Sequence, residues 1–418
     1  MAGDNSMVCE IISVGTELLL GQIVNTNAQY IARRLAEVGV SVYYQSVVGD
    51  NQARLAGAVR EALDRADIVI TTGGLGPTGD DLTKETIAAV CGLKLVMDEA
   101  TLEAISERFI RLGRKMTPNN LKQALIPRGA QVLPNAHGTA PGCIVNAPGL
   151  KQIVLLPGPP GEMRPMLDTH VIPYLADKSG KTLVSRVLRI FGMGESAVEY
   201  ALKDLIQNQV NPTIAPYAAQ SEVTLRITAM CSARAEGEQL IEPYIKEIVN
   251  RLGGVVYSLN DETLWQVCAG LLKKNGLKLA VAESCTGGML SSLLVSVPGC
   301  SNWFTEGCVT YSDEAKARRL NVSQQTLKRY SAVSGQTAYE MANGIALRSG
   351  ADAVLATTGY AGPDSGADTG LVYIAAGLGG DISVHCERLN GSREHIRYAA
   401  CLHALNYLRK MLEKTDEF

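Results

Sequence analysis

None of the ten cysteines (9, 91, 143, 231, 268, 285, 300, 308, 386 and 401) pairs in a C-x-x-C spacing. That argues against a zinc site or a disulfide frame and predicts the reduced thiols of a cytoplasmic protein. Nor is there an apolar run long enough to span a bilayer, so no membrane partner is expected. The start lacks the basic-then-apolar pattern of a signal peptide, and the opening MAGDNS reads as a disordered leader. Excess charge of one sign is missing too. With 39 basic and 42 acidic residues the net charge is −3, which excludes a broad electrostatic grip on nucleic acid. Histidine is scarce, with five residues at 137, 170, 385, 395 and 403. What is present is a chain of 418 residues, 46% hydrophobic and 19% charged. At roughly 150 residues per domain it should form about three globular domains.

The first third alternates strand and helix signals: strands at 9–15, 40–48 and 67–74, helices at 26–39 and 51–66, and a late strand opening KQIVLLPGPPGEM (151–163). Such βαβαβ order predicts a parallel sheet with helices on both faces and ligands at the carboxyl ends of its strands. From about 180 to 256 the rhythm changes to alternating strands and helical runs at 195–207 and 235–252. This reads as a small α+β module without a reactive cluster, a spacer or dimer-forming element. A third domain, 260–413, opens with a helix from Asp261 to Lys274 whose Leu264, Val267, Cys268, Leu271 and Leu272 share one face.

That helix leads into VAESCTGGML (281–290). Leu277, Leu279 and Val281 alternate as along a strand with one buried face. Thr286-Gly287-Gly288 then opens a helical run whose first N–H groups should be free. Ser284 and Cys285 both stand at this corner as possible nucleophiles. No histidine lies between 281 and 370, so lysine is the obvious base. The candidate is Lys316 in CVTYSDEAKARRL (308–320), on a helix with Ser312 as N-cap. A helix N-terminus and burial both favour neutral lysine, while Asp313 and Glu314 oppose that shift. On residue type alone Lys316 reads first as a solvated surface lysine.

The stretch AESCTGGMLSSLLVSVPGCSNWFTEGCVTYSDEAKARRLNV, followed by SAVSGQTAYEMANGI and TTGYAGPD, resembles the C-terminal domain of CinA-type proteins, the nicotinamide-nucleotide amidohydrolase family. The resemblance runs from about 260 to 410. It implies a serine–lysine hydrolase, needing no cofactor, that converts nicotinamide mononucleotide to nicotinate mononucleotide and ammonia. Ser284 is then the nucleophile and Lys316 the base, with Cys285 a small buried filler; Tyr311, at the family's tyrosine, either orients the lysine or merely packs as a strand-end aromatic. The N–H groups of Thr286, Gly287 and Gly288 are candidates to hold an oxyanion or phosphate. Thr358, Gly359, Ala361 and Gly362 should wall the pocket. Arg393 and Arg397, four apart on a helix, are either phosphate ligands or a solvated face. In one departure, Tyr360 replaces the family's isoleucine and a K-P-V segment is absent, so ring recognition or loop closure is expected to differ.

SVGTELLLGQIVNTNA, VVGDN, TTGGLGPTGDDLT and LPGPPGEM resemble the N-terminal domain of CinA proteins, related to the molybdopterin-binding fold. The expected architecture is a three-layer α/β domain over 7–172, the α+β module over 180–256 and the α/β amidohydrolase domain. The resemblance implies a metal-dependent ADP-ribose pyrophosphatase in front. Glycines 73, 74 and 76 can bring backbone N–H groups to a pyrophosphate. Asp50 and Asp81 are expected at the ends of successive strands, as ligands for Mg, Mn or Co. Asp80 and Glu17 are weaker candidates, and Asp80 or Asp81 equally reads as a cap for a helix at 82–91. A homodimer is expected. The other reading is a nucleotide- or pterin-binding scaffold without turnover.

Overall fold

The computed structural model describes residues 7–180, 182–362 and 366–415. The leader expected before Met7 lies outside them. Contacts divide the chain into two compact units, 1–185 with 228–240 and 186–227 with 241–418. Among the described residues no helix is long and apolar enough to cross a membrane.

The N-terminal domain is built on six strands: β1 (Val8–Val14), β2 (Ser41–Val48), β3 (Ile68–Thr72), β4 (Gln131–Leu133), β5 (Gly142–Asn146) and β6 (Gln152–Leu156). Their order is β2-β1-β3-β6-β5-β4. The first four in that order pair in parallel, whereas β5 pairs antiparallel with both neighbours, so the sheet is mixed. Helices α1 (Thr26–Glu37) and α2 (Gln52–Arg65) cover opposite faces. Along β1, Cys9 and Ile11 join Ile31 and Leu35 of α1, while Ile12 and Val14 join Leu55 and Val59 of α2. The period-2 alternation of a strand delivers apolar side chains to both helical layers, giving three layers. Helices α3 (Thr83–Val90), α4 (Glu99–Arg111) and α5 (Pro160–Met166) complete the parts that matter below.

The small sheet has β7 (Thr182–Ile190), β8 (Thr213–Ala219), β9 (Glu222–Cys231) and β10 (Val256–Ser258), in the order β8-β9-β7-β10, with the long helix α6 (Arg234–Leu252). The expected helical run 195–207 is two short helices, broken at Leu202.

The C-terminal domain carries β11 (Leu279–Glu283), β12 (Phe304–Val309), β13 (Ala353–Gly359), β14 (Leu371–Leu378) and β15 (Asp381–Arg388), ordered β12-β11-β13-β14-β15. β11 runs parallel to β12 and β13, and the last two pairings are antiparallel. Helix α7 (Leu264–Lys274) begins three residues later than expected. Thr263 caps it in a capping box with Gln266, and Asp261 stands before it in a left-handed turn. The remaining labelled helices are α8 (Met289–Val295), α9 (Asp313–Leu320), α10 (Gly335–Ser349) and α11 (Arg393–Thr415). Strand β11 is buried on both faces, not one. Leu279 and Val281 join the core shared with α7 and α11, and Ala280 and Ala282 join the core of α9 and α10.

Candidate functional sites

In the C-terminal domain, the alternation along β11 continues past its end and sorts two neighbouring residues to different duties. Ser284 is 7% exposed and donates its N–H to Thr357 O at 2.9 Å. Its Oγ lies 3.1 Å from Lys316 Nζ. Lys316 is only 1% exposed. Its ammonium nitrogen also donates to the carbonyl oxygens of Thr310 and Tyr311, each at 3.1 Å. Ser312 caps α9 by accepting from Ala315 N–H, which turns the first face of that helix, and Lys316 with it, beneath the end of β12. Burial pushes the Lys316 pKa below its ordinary value, with Asp313 the main group opposing the shift. The three partners suit both protonation states. A neutral amine donates two hydrogens to the carbonyls and offers its lone pair to the serine hydroxyl.

Tyr311 acts on the lysine through its carbonyl. Its ring is largely exposed, and its hydroxyl accepts from Arg393 Nη2 at 3.4 Å. The expectation that the tyrosine side chain orients Lys316 is therefore corrected to a main-chain role. Cys285 packs in the α7–α11 core, where burial pushes its thiol up to about 12. A thiol so far from ionisation is a poor nucleophile at neutral pH.

The helix start expected to be open is closed. Glu283, fully buried, accepts at Oε2 from Gly288 N–H (2.9 Å) and Leu290 N–H (3.1 Å). Its Oε1 accepts from Ser291 N–H (2.8 Å) and Ser291 Oγ (2.6 Å). Gly287 N–H is engaged by Ser284 O. Gly287 and Gly288 both lie at positive φ, 60° and 92°, which lets the chain reverse within one turn above the carboxylate. Of the expected anion-binding N–H groups, Gly287 is thus engaged by a carbonyl and Gly288 by the Glu283 carboxylate, which leaves Thr286 N–H, with Cys285 N–H beside it, as the candidate. The Thr286 side chain meets Thr357 Oγ1 at 2.8 Å.

Arg397 reaches the same loop from α11. Its Nε donates to Cys285 O (3.1 Å) and its Nη2 to Thr286 O (2.7 Å). The nucleophile loop is thus held by two opposite charges: a carboxylate on its N–H groups and a guanidinium on its carbonyls. Arg393, exposed at the helix start, donates to Gly362 O at 2.7 Å. The two arginines therefore do not form one phosphate clamp. Thr358 ties its hydroxyl to Ala332 O at 2.7 Å, Gly359 ends β13, and Ala361 follows it. The rest of the expected wall, 363–365, lies outside the described residues. Glu283 was missed from sequence because an acid closing an apolar strand looks like a solvent-facing terminus.

In the N-terminal domain, a cavity of about 620 Å³ opens beyond the carboxyl ends of β1, β2, β3 and β6. It gathers Gly73, Gly74 and Gly76 with Glu17, Asp50, Asp80, Asp81 and Glu162. Gly73 adopts φ 107°, and a Cβ there would overlap the Val14 carbonyl, so the loop needs glycine. Asp50 Oδ2 accepts from Thr16 N–H (3.0 Å) and Thr16 Oγ1 (2.8 Å). Asp81 Oδ2 accepts from Thr78 N–H (2.9 Å) and Thr78 Oγ1 (2.5 Å). Asp50 follows β2 directly, but Asp81 does not end a strand: it sits in the turn before α3. Neither Asp80 nor Asp81 caps α3, whose N-cap is Leu82 without a side-chain bond. Glu162, on the first turn of α5, was not anticipated. Among the described residues no three acidic, histidine or cysteine side chains gather closely enough to hold a metal by themselves.

Three family models match the chain: "CinA C-terminal domain" over 261–412, "Probable molybdopterin binding domain" over 10–177 and "Damage-inducible protein CinA KH domain" over 185–258. A CinA-like protein of Kosmotoga olearia is 50% identical over 409 residues, covering 97% of this chain and 99% of its own length. A CinA-like protein of Dictyoglomus thermophilum is 49% identical over 409 residues, again covering 97% and 99%. The solved structure of CinA from Thermoplasma acidophilum, described as of unknown function, is 40% identical. It covers 40% of this chain and 96% of its own, with a TM-score of 0.37.

Proposed function

The chain belongs to the CinA family, with a molybdopterin-binding-like domain in front, and on that premise we propose that its C-terminal domain hydrolyses the carboxamide of nicotinamide mononucleotide. The observation that carries this reading is the buried Lys316 amine 3.1 Å from Ser284 Oγ. Ser284 Oγ attacks the carboxamide carbon while neutral Lys316 takes its proton. The carbonyl oxygen, now negative, is met by the N–H groups of Cys285 and Thr286, the loop donors taken neither by a carbonyl nor by the Glu283 carboxylate. The tetrahedral centre collapses, the C–N bond breaks, and Lys316 returns the proton to departing ammonia. Water then adds to the acyl-serine with Lys316 again as base. Breaking the ester C–O bond releases nicotinate mononucleotide and restores Ser284. Arg393, exposed beside Gly362, is the remaining candidate for the substrate phosphate.

The N-terminal domain is read as a metal-dependent ADP-ribose pyrophosphatase. Its cavity presents five carboxylates and no lysine or arginine, so a diphosphate enters only with cations between it and the wall. Mg²⁺ typically keeps several waters and binds through one or two carboxylates plus substrate phosphates. Asp50 and Asp81 would hold the ion, with Asp80 and Glu17 beside them. The metal would supply charge neutralisation at the bridging phosphates. Glycines 73, 74 and 76 keep the loop backbone close to the cavity.

Incubation of the purified chain with nicotinamide mononucleotide and with ADP-ribose, each with and without divalent metal, followed by product chromatography, tests both halves. Absence of nicotinate mononucleotide would remove the first reading. Absence of AMP and ribose phosphate in every metal would remove the second.

A further inference from the structure

The acidic cavity of the N-terminal domain has no lysine or arginine on its wall, yet one side-chain amide reaches it. Gln123 is 1% exposed and lines the cavity from the short 3₁₀ turn Pro118–Ala124.

The hydrogen bonds of that turn decide which end of the amide faces the cavity. Thr117 N–H can only donate, and it donates to a side-chain atom of Asn120 at 3.1 Å, so that atom is Oδ1. Thr117 Oγ1 donates to the same oxygen at 2.8 Å. The other end of Asn120 is therefore its NH₂, which donates to Gln123 at 3.3 Å and fixes the atom there as Oε1. What remains of Gln123 is its own NH₂, without a partner among the described residues. Buried donors are rarely left unmet, and here the open side is the cavity, so a ligand acceptor completes the arrangement.

Two lysines hold the frame of this relay. Lys84, 2% exposed on the first turn of α3, donates from Nζ to Gln123 O at 2.7 Å and to Lys122 O at 3.1 Å. Lys122 Nζ in turn donates to the carbonyl oxygens of Thr78 (3.0 Å) and Asp81. The 3₁₀ turn and the Asp81 loop are thus laced together, with both ammonium groups engaged by main-chain oxygens outside the cavity lining.

We propose that the Gln123 NH₂ donates to a non-bridging oxygen of a diphosphate in the acidic cavity, and that Asn120 is the positioning residue that keeps it turned that way. The identity of that diphosphate as ADP-ribose rests on the pyrophosphatase reading. A neutral donor suits this wall. It binds a phosphoryl oxygen without forming the charged pairs that a lysine or arginine would make with the carboxylates, which leaves those free for cations. Inverting the amide would set Oε1, an acceptor, against an oxygen anion and turn attraction into repulsion.

The test uses the full chain with Mg²⁺, calorimetric titration of inorganic pyrophosphate and of ADP-ribose, and an assay of ADP-ribose cleavage. Gln123→Met keeps the length of the side chain and removes the donor. It should weaken binding of both ligands by about ten- to a hundredfold, the range for a hydrogen bond to a charged group. Asn120→Asp is nearly isosteric and lies outside the cavity lining. A carboxylate at 120 draws the Gln123 NH₂ back to itself and turns Oε1 toward the phosphate, so this variant should lose as much. The double variant should lose no more than either single one, because both remove the same contact. Unchanged binding of both ligands in Gln123→Met would overturn the proposal, and additive losses would overturn the relay through Asn120. Ligands that bind with this dependence while ADP-ribose is never cleaved would remove the pyrophosphatase reading and leave the Gln123 contact standing. A parent chain that binds neither ligand would overturn both.

Discussion

Lys316 Nζ stands 3.1 Å from Ser284 Oγ and the same distance from two main-chain carbonyls, in a site where the lysine is 1% exposed. The amine has no water shell to hold its charge, so burial lowers its pKa.

Deamidation should therefore rise with pH as Lys316 loses its proton, and level off with a midpoint below the ordinary lysine value of 10.5. The sign follows from the chemistry: the neutral form is the base, and a lowered pKa moves its appearance to lower pH. Ser284→Ala should abolish turnover. Lys316→Ala should lose at least about 10²–10⁴ in rate, the usual worth of a general base. Lys316→Arg should be no better, because guanidinium stays charged. Cys285→Ala should keep most activity. A dead Cys285→Ala beside an active Ser284→Ala would exchange the nucleophile.

Residue types carried much of this site, because a serine, a lysine and glycines in fixed order are visible as letters. Main-chain duties are not. Tyr311 was expected to work through its ring, yet its carbonyl holds the lysine. Alternation in β11 was read from Leu277, Leu279 and Val281. Ala280 and Ala282, too small to register as a hydrophobic face, fill the second core. In the N-terminal domain the βαβ order and the glycine loop were legible, since apolar periodicity and glycine are local signals. The antiparallel strands β4 and β5 gave only short runs, and Asp81 was assigned to a strand end because nothing in the letters shows its turn onto Thr78.

Glu283→Gln tests whether the missed carboxylate positions the nucleophile. Each of its oxygens accepts two hydrogen bonds. An amide keeps the shape but must point one NH₂ at two donors. Leaving such buried donors without an acceptor costs about 1–3 kcal/mol each, more for a lost charge. The variant should unfold at lower urea concentration, and kcat should fall further than KM rises. Glu283→Asp, which keeps the charge on a shorter arm, should recover part of the rate. Full activity and stability in Glu283→Gln would show that the loop holds itself.

The two arginines should separate kinetically. Arg397 grips the carbonyls of Cys285 and Thr286, so Arg397→Ala should reduce kcat by about 10²-fold, the cost of roughly 1 Å of misplacement, with KM little changed. Millimolar guanidinium should restore part of that rate. Arg393→Ala should instead raise KM for nicotinamide mononucleotide and barely alter turnover of a substrate without phosphate. Equal KM effects in both variants would return Arg397 to phosphate binding.

Chelation should stop ADP-ribose cleavage and leave deamidation intact, because the serine–lysine chemistry routes every proton through Lys316. Asp50→Asn and Asp81→Asn should each weaken Mg²⁺ binding, read by calorimetry with inorganic pyrophosphate present. Deamidation lost in chelator and restored by metal would contradict the division of labour.

A fragment of residues 258–418 retains Ser284, Lys316, Glu283, Arg393 and Arg397, every group assigned to deamidation. It does not retain the whole core. Phe191 and Tyr257, 4% and 6% exposed, pack into the cluster formed by α7, β11 and α11. Phe191 meets the His403 ring edge-on at 5.0 Å, and the nearly buried Arg409 donates to Gly254 O at 2.8 Å. Removing two such side chains forfeits roughly 1.5–3 kcal/mol each, and Arg409 loses an acceptor in a buried setting. The fragment should therefore deamidate with a kcat near that of the full chain but melt at lower temperature. A longer fragment from 182, which restores the small sheet with Phe191 and Tyr257, should recover most of the stability without a further gain in kcat. Circular dichroism melts and steady-state kinetics on both fragments measure this. A folded 258–418 fragment without activity would mean that the site borrows a residue from elsewhere in the chain or from a second copy.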